Sequence, residues 1–291
     1  MNSAITFRKN SEHNYHYRRL KKLLNAVVAD LPTERKNNKV YMVCALPFLF
    51  IFIYATAMYF NENMVLYYSM YALLGVLSVI IFVNIIHDAV HNNTFKSKRL
   101  NELFLLFFDL IGGNSFIWKK RHMLMHHNFQ NIAGWDSDIE QAGLIKIYPH
   151  EKTGFIQRHQ HIFIFVFYPL YLFNWILVRD FKDFFGNNRL IKKVVRIPKI
   201  EYVKLFLFKA IFLTYILIVP IKLGVEPAIA IGALCTMFVV GSIFAMLSLL
   251  TPHVNETNQF PLPNTEGQMT VSWFEHQFIT TNDIKLNNWF T

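Results

Sequence analysis

Two histidines bracket an aspartate in "HDAVH", residues 87–91, and three more fall within "HMLMHH", residues 122–127. His87 and His91 are four apart, so a helix sets them on one face with side-chain bases about 5–6 Å apart. Two neutral imidazoles at that spacing can reach one metal ion. Asp88 lies beside them as an acceptor for a ring N–H, the kind of partner that fixes the tautomer of a ligating histidine. His122 and His126 repeat the spacing. His127, turned by about 100° on an α-helix, could address a different ion. His253 stands alone in "LLTPHVNE". A polar collar where helices meet water would use the same residues, so the chemistry depends on whether the three groups meet.

The elements that carry them are set by composition. The chain of 291 residues is 53% apolar and 16% aromatic, with 29 Phe, and only 16% charged, against about a quarter in soluble proteins. Several apolar runs approach or exceed the ~20 residues that a membrane-spanning helix needs. Helices keep every backbone polar group paired in lipid. The composition therefore predicts an all-α integral membrane protein. Apolar segments lie at about 40–60, 64–86, 161–178, 203–223 and 227–250. A shorter one from Leu100, "LNELFLLFFDLIGGNSFIW", carries Asp109 and a Gly-Gly break, and reads as an interfacial or re-entrant helix.

Basic residues orient these segments. Residues 1–39 hold nine Lys/Arg, 87–160 hold nine and 179–202 hold seven, whereas "NEN" (61–63) holds none and "KLGVE" (222–226) one. All three basic blocks then face the cytoplasm. If 161–178 crossed, the block at 179–202 would lie outside and His253 opposite His87. We therefore expect four transmembrane helices as two hairpins, with 161–178 in the interface and a cytoplasmic histidine-rich cap; if the source is bacterial, the membrane is the cytoplasmic one. Residues 1–39 read as a basic interfacial segment, amphipathic from about Tyr15 to Ala29, and 40–291 as the main domain. The N-terminus lacks the short apolar core and cleavage site of a signal peptide. The formal charge of +10 flanks apolar runs, which suits anionic lipid rather than nucleic acid. Cys44 and Cys235 lie within apolar runs and read as buried thiols.

Six histidines at one depth, without a cysteine cluster or "HExxH", point away from structural zinc. A nitrogen-rich site suits non-haem iron, with copper, zinc and nickel also open. His13 and His16 sit in the basic N-terminal segment, where headgroups are the simplest partners. His150, His159 and His161 carry no pattern that implies chemistry.

"HDAVH" followed by "HMLMHH" resembles the first two histidine boxes of membrane fatty acid desaturases, closest to the acyl-CoA and acyl-lipid front-end group. Asn84, "LIGGNSFIWKKRH", "NIAGWDSDIE", "PHVNET", "WFEHQFITTND" and "NNWFT" match in type and position, so the resemblance runs from about Tyr41 onward. It implies a fatty acid desaturase with two non-haem iron ions. Dioxygen and two electrons would be used to remove hydrogens from adjacent methylenes of an acyl-CoA or lipid-linked acyl chain. Iron must supply that power, because no protein side chain abstracts hydrogen from an unactivated methylene. The resemblance makes His87, His91, His122, His126, His127 and His253 the ligands, and Asp88, Asp136 and Asp138 second-shell or structural carboxylates. It also implies a separate ferredoxin or cytochrome as electron donor, for which the basic surface around 179–199 is the expected docking place. A related di-iron lipid hydroxylase, or an inactive scaffold, would share these features.

A third box, Gln or His before two adjacent histidines, follows the "NNWFT"-like stretch in this family. The sequence stops at Thr291 without it, and His276 has a counterpart in relatives that is not usually a ligand. The expectation is a chain truncated before the third box, with negligible desaturase activity. New double bonds in the lipids of cells expressing residues 1–291 would overturn it.

Overall fold

In the computed structural model, which describes residues 5–29, 33–139, 145–250 and 257–281, Asn63 caps the helix that leads to the first histidine pair. Its side-chain oxygen accepts the Leu66 N–H at 3.1 Å, satisfying one of the amide donors that every helix leaves open at its start. The described residues contain no strand, only a parallel bridge between Thr6 and Gln268. The helices are α1 Ser11–Ala29, α2 Thr33–Tyr59, α3 Met64–Val90, α4 Lys98–Leu110, α5 Ser115–His126, α6 Gln160–Val194, α7 Lys199–Lys222, α8 Pro227–Leu249 and α9 Trp273–Thr280.

Five of these are long and apolar enough to cross a membrane: Val40–Tyr59 within α2, then α3, α6, α7 and α8. They fall on the five apolar segments of the sequence. α4 and α5 pass the same test only as a pair, bent by 112°. The third segment extends well past residue 178, because Asp180 and Asp183, which follow, are buried and paired with cations. Cys44 and Cys235 are free thiols, partly rather than fully buried.

The chain divides into two compact units, one of residues 36–121 and 161–248, the other of 1–35, 122–160 and 249–291. In the first, α3 and α8 meet backbone to backbone. A Cβ placed on Gly75 would lie 2.2 Å from the Met237 carbonyl oxygen, and one on Gly241 would lie 2.9 Å from the Gly75 oxygen. Small residues permit this approach, which gives apolar helices a packing surface that lipid cannot imitate.

Irregular turns release backbone groups, and tyrosines recover them. Pro220 has no N–H, and a π-turn, Thr214–Ile218, precedes it. The Tyr71 hydroxyl donates to the Ile216 carbonyl at 2.7 Å, and Tyr54 donates to the Tyr215 carbonyl. Those carbonyls stand four and five residues before the proline.

The corner between α4 and α5 is fixed from both sides. Gly112 has φ +96, a backbone state that glycine adopts without penalty. Asp109 accepts the Ser115 N–H at 2.9 Å and the Ser115 hydroxyl at 2.5 Å, while Asn114 caps α5 by accepting the Ile117 N–H at 2.9 Å. From α7, Tyr215 donates to the Leu110 carbonyl at 2.9 Å. Lys209 donates to the Gly112 carbonyl at 2.5 Å, the Ile176 carbonyl at 2.6 Å and Asp180 Oδ2 at 2.6 Å. Beside it, Asp183 takes Arg121 at 3.2 Å and Arg189 at 2.7 Å. Thus the residue immediately before His122 is tied to α6, and α6 to α7.

Lys209 is 6% exposed and Asp180 1%. Removing one partner of a buried pair strands the other charge, at a cost of about 3–5 kcal/mol. Lys209→Ala should lower stability by that order in thermal unfolding of the purified protein. Lys209→Met combined with Asp180→Asn should recover most of the loss.

Candidate metal centre

The first histidine pair lies in the unit that contains α3. A π-turn, Phe82–Ile86, widens the helix just before it, and the His87 N–H bonds the Phe82 carbonyl five residues back. Asn84, inside this turn, donates its side-chain amide to the Ile80 carbonyl at 2.9 Å. Asn92 then adopts φ 58, a left-handed state that asparagine tolerates and that ends helices, so the helix stops directly after His91. The rings of His87 and His91 lie 5.0 Å apart, centre to centre. Asp88 Oδ1 is 3.7 Å from His87 Nδ1. Phe82, Trp118 and Trp175 pack edge-on beneath, with Trp118 6.5 Å from the His87 ring.

The second group lies in the other unit. Residues His122–His126 form a π-turn, and the His127 N–H bonds the His122 carbonyl at 3.0 Å. A π-turn places residue i+5, rather than only i+4, over residue i. His127 therefore does not turn away as α-helical spacing predicts. Its Nε2 lies 3.0 Å from His122 Nε2, and the three rings are 5.4, 4.4 and 5.5 Å apart.

Each of two imidazoles has its own carboxylate. His122 Nδ1 is 2.7 Å from Asp138 Oδ2, and His126 Nδ1 is 2.9 Å from Asp136 Oδ1. Asp136 is itself held, accepting the Asn131 N–H at 2.9 Å and the Asp138 N–H at 3.1 Å. Asn131, at φ 58, donates its side chain to the Gln259 carbonyl at 3.0 Å. The resemblance implies Asp136 and Asp138 as second-shell or structural carboxylates, and the structure sets each against a histidine ring. With their Nδ1 protons given to carboxylates, His122 and His126 carry their lone pairs on Nε2. The nitrogens of His122 and His127, at 3.0 Å, can share a proton or address one cation. Ligand atoms of His122, His126 and Asp138 all lie within 4.8 Å of one another. This donor set fits a transition metal that takes imidazole nitrogen, with carboxylates orienting the rings. His253 lies outside the described residues.

Several of the remaining histidines bind the protein itself. His13 Nδ1 meets the Ser272 hydroxyl at 2.7 Å, and Ser272 caps α9 through the Glu275 N–H. His150 meets the Phe260 carbonyl at 2.9 Å. Sequence reasoning also passed over Lys209. The signal was there, a single cation inside the apolar run "LFLFKAIFLTY", which marks a buried partner.

The fatty acid desaturase family profile matches residues 63–291. The chain is 29% identical to the sn-1 linoleoyl-lipid 6-desaturase of Synechocystis sp. over 71% of its own length and 58% of that protein. It is 29% identical to the enzyme of the same name from Arthrospira platensis, covering 70% of this chain and 55% of that protein. For the acyl-lipid (8-3)-desaturase of Physcomitrium patens the identity is 26%, covering 80% and 49%. The chain thus spans about half the length of the curated relatives it matches. No solved structure matches it. The chain belongs to the fatty acid desaturase family.

His276 is fully buried and its Nε2 meets the Gln130 carbonyl at 2.9 Å, which leaves Nδ1 as a buried acceptor. Burial pushes its pKa below the ordinary histidine value, outweighing the hydrogen bond to Gln130 and the charge of Asp136. The unfolded chain therefore binds this proton first. The stabilisation is full above the unfolded value of about 6.5 and is lost as pH falls toward the lowered folded value. Unfolding followed from pH 7.5 downward should show this loss, and His276→Gln should flatten the slope in that window.

Proposed function

We propose that this chain is the catalytic core of a membrane fatty acid desaturase that introduces a double bond into a lipid-linked acyl chain. The observation that carries the reading is the pair of carboxylate-held imidazoles, His122 with Asp138 and His126 with Asp136. A surface histidine cluster has no need of two orienting acids, one of them fully buried; a metal site does. His87, His91, His127 and His253 join them as ligands in this reading, with Asp88 serving the first pair. Two iron ions, when bound, would supply with dioxygen the power to take two hydrogens from adjacent methylenes. The relatives' names favour acyl-lipid over acyl-CoA as substrate class.

The protein's part is to hold and orient. Asp136 and Asp138 keep the Nδ1 protons of His126 and His122 and so present Nε2. The anchored corner at Gly112 and the Arg121–Asp183 bond fix the part of α5 that leads into His122. Electrons come from a separate ferredoxin or cytochrome, for which the basic block at 179–202 offers a complementary surface.

We further propose four spans, with the histidine groups on the cytoplasmic side. The distribution of Lys and Arg supports this, as does the broken course of α6, with a 3-10 turn at Tyr168–Leu170 and a π-turn at Trp175–Arg179. α1 suits the interface: it buries none of its residues and exposes Leu20, Leu23, Leu24, Val27 and Val28 beside its Lys and Arg.

Metal analysis tests the centre directly. The purified chain loaded anaerobically with ferrous iron should retain it. His122→Ala and His126→Ala should lose most of it, and Asp136→Asn should bind roughly 10–100-fold more weakly. Equal iron in all four proteins would overturn the reading. Disrupting the gene in its source should remove one class of unsaturated acyl chain from the membrane lipids, measured by gas chromatography. Unchanged lipids would exclude a desaturase.

A further inference from the structure

α4 carries two cavities on adjoining sides of Leu103 and Leu106, both within the unit of residues 36–121 and 161–248. One, of about 420 Å³, is walled by apolar groups: Pro47 and Phe48 of α2, Phe107 and Leu110 of α4, and Phe208 of α7. The other, of about 560 Å³, continues from the same two leucines toward the start of α4. Its rim holds Arg99, Lys119, Lys120 and Lys204 against Glu102 and Glu201.

Those charges do not cancel. Lys119 pairs with Glu102, and Lys204 with Glu201 at 2.9 Å. Lys120 lies over the Phe116 ring at 5.8 Å. Four cations thus face two carboxylates, and both carboxylates are already engaged. Arg99 and Lys120 have no acidic partner among the described residues. From Arg99 to Leu110 the helix rises about 16 Å, and the residues it gives to the cavities are charged at one end and apolar from Leu103 to Leu110.

We propose that this double cavity binds one anionic glycerophospholipid. The phosphate sits between Arg99 and Lys120, and one acyl chain runs past Leu103 and Leu106 into the apolar groove. Charge complementarity selects the anion. The groove selects a lipid over a soluble phosphate, because it opens beside α2 and α7, whose outward faces expose Phe48, Phe52 and Phe206. Two surplus cations match a single phosphodiester better than the several phosphates of coenzyme A. No histidine lines either cavity, and the proposal does not rest on the metal reading.

Native mass spectrometry of the full chain in detergent tests it, with dioleoylphosphatidylglycerol, dioleoylphosphatidylcholine, oleoyl-CoA and inorganic phosphate as probes. Phosphatidylglycerol should be retained roughly tenfold better than phosphatidylcholine. Arg99→Gln with Lys120→Gln should abolish that preference without weakening phosphatidylcholine. Leu106→Trp, which fills the shared wall, should weaken both lipids. Equal retention of the two lipids by the unaltered protein would overturn the proposal, and so would a preference that survives the double substitution. Displacement of phosphatidylglycerol by inorganic phosphate would mark an adventitious anion site, and stronger binding of oleoyl-CoA a different ligand. Both outcomes refute it. The lipid comparison needs no variant, so a substitution that fails to fold does not rescue the idea.

Discussion

A helix surrounded by hydrocarbon has no water to satisfy a backbone group that it releases, so every departure from α-geometry needs a protein partner. Five π-turns occur among the described residues, and prolines interrupt α2, α6 and α7. Each one loosens the regular hydrogen-bond ladder. Tyr54, Tyr71, Asn84, Lys209 and Ser242 supply donors or acceptors at these places. The polar side chains inside the apolar helices are therefore what makes bent helices possible. The bends in turn bring the histidines to usable positions.

Three of the five π-turns stand at or just before a histidine group. Phe82–Ile86 leads into His87, His122–His126 contains the second group, and Met246–Leu250 closes the run before His253. A wider turn changes which residues share a face. At the second group it lets three imidazoles approach one another instead of two. Asp136 and Asp138 then do for the rings what tyrosines do for the backbone, giving each exposed polar atom one defined partner.

Much of the architecture was legible in the sequence because it follows from composition. Apolar runs, a Gly-Gly corner and capping residues such as Asn63 and Asn114 are local signals, and the helices fall where those signals stand. The histidine spacing likewise placed the His87 ring beside His91 and the His122 ring beside His126. The direction of His127 was not legible, since the α-helical angle fails in a π-turn and π-turns are set by tertiary partners rather than by local propensity. Neither was the length of α6. Asp180 and Asp183 look like the end of an apolar run, yet they remain inside because Arg121, Arg189 and Lys209, distant or irregularly placed in sequence, neutralise them. Asp136 and Asp138 lie in a loop whose shape depends on Asn131 in a left-handed conformation, which no periodicity announces.

Lys209 has a consequence for how the protein is made. A lysine in the middle of an apolar helix resists transfer into the bilayer by about 2.5–3.5 kcal/mol, so α7 is a reluctant segment on its own. Gly112, Ile176 and Asp180, the three groups that receive its protons, all precede it in the chain. When α7 leaves the ribosome its acceptors have already been synthesised, and the lysine can enter the membrane against a waiting surface. The order of the helices along the gene is thereby also a workable order of assembly.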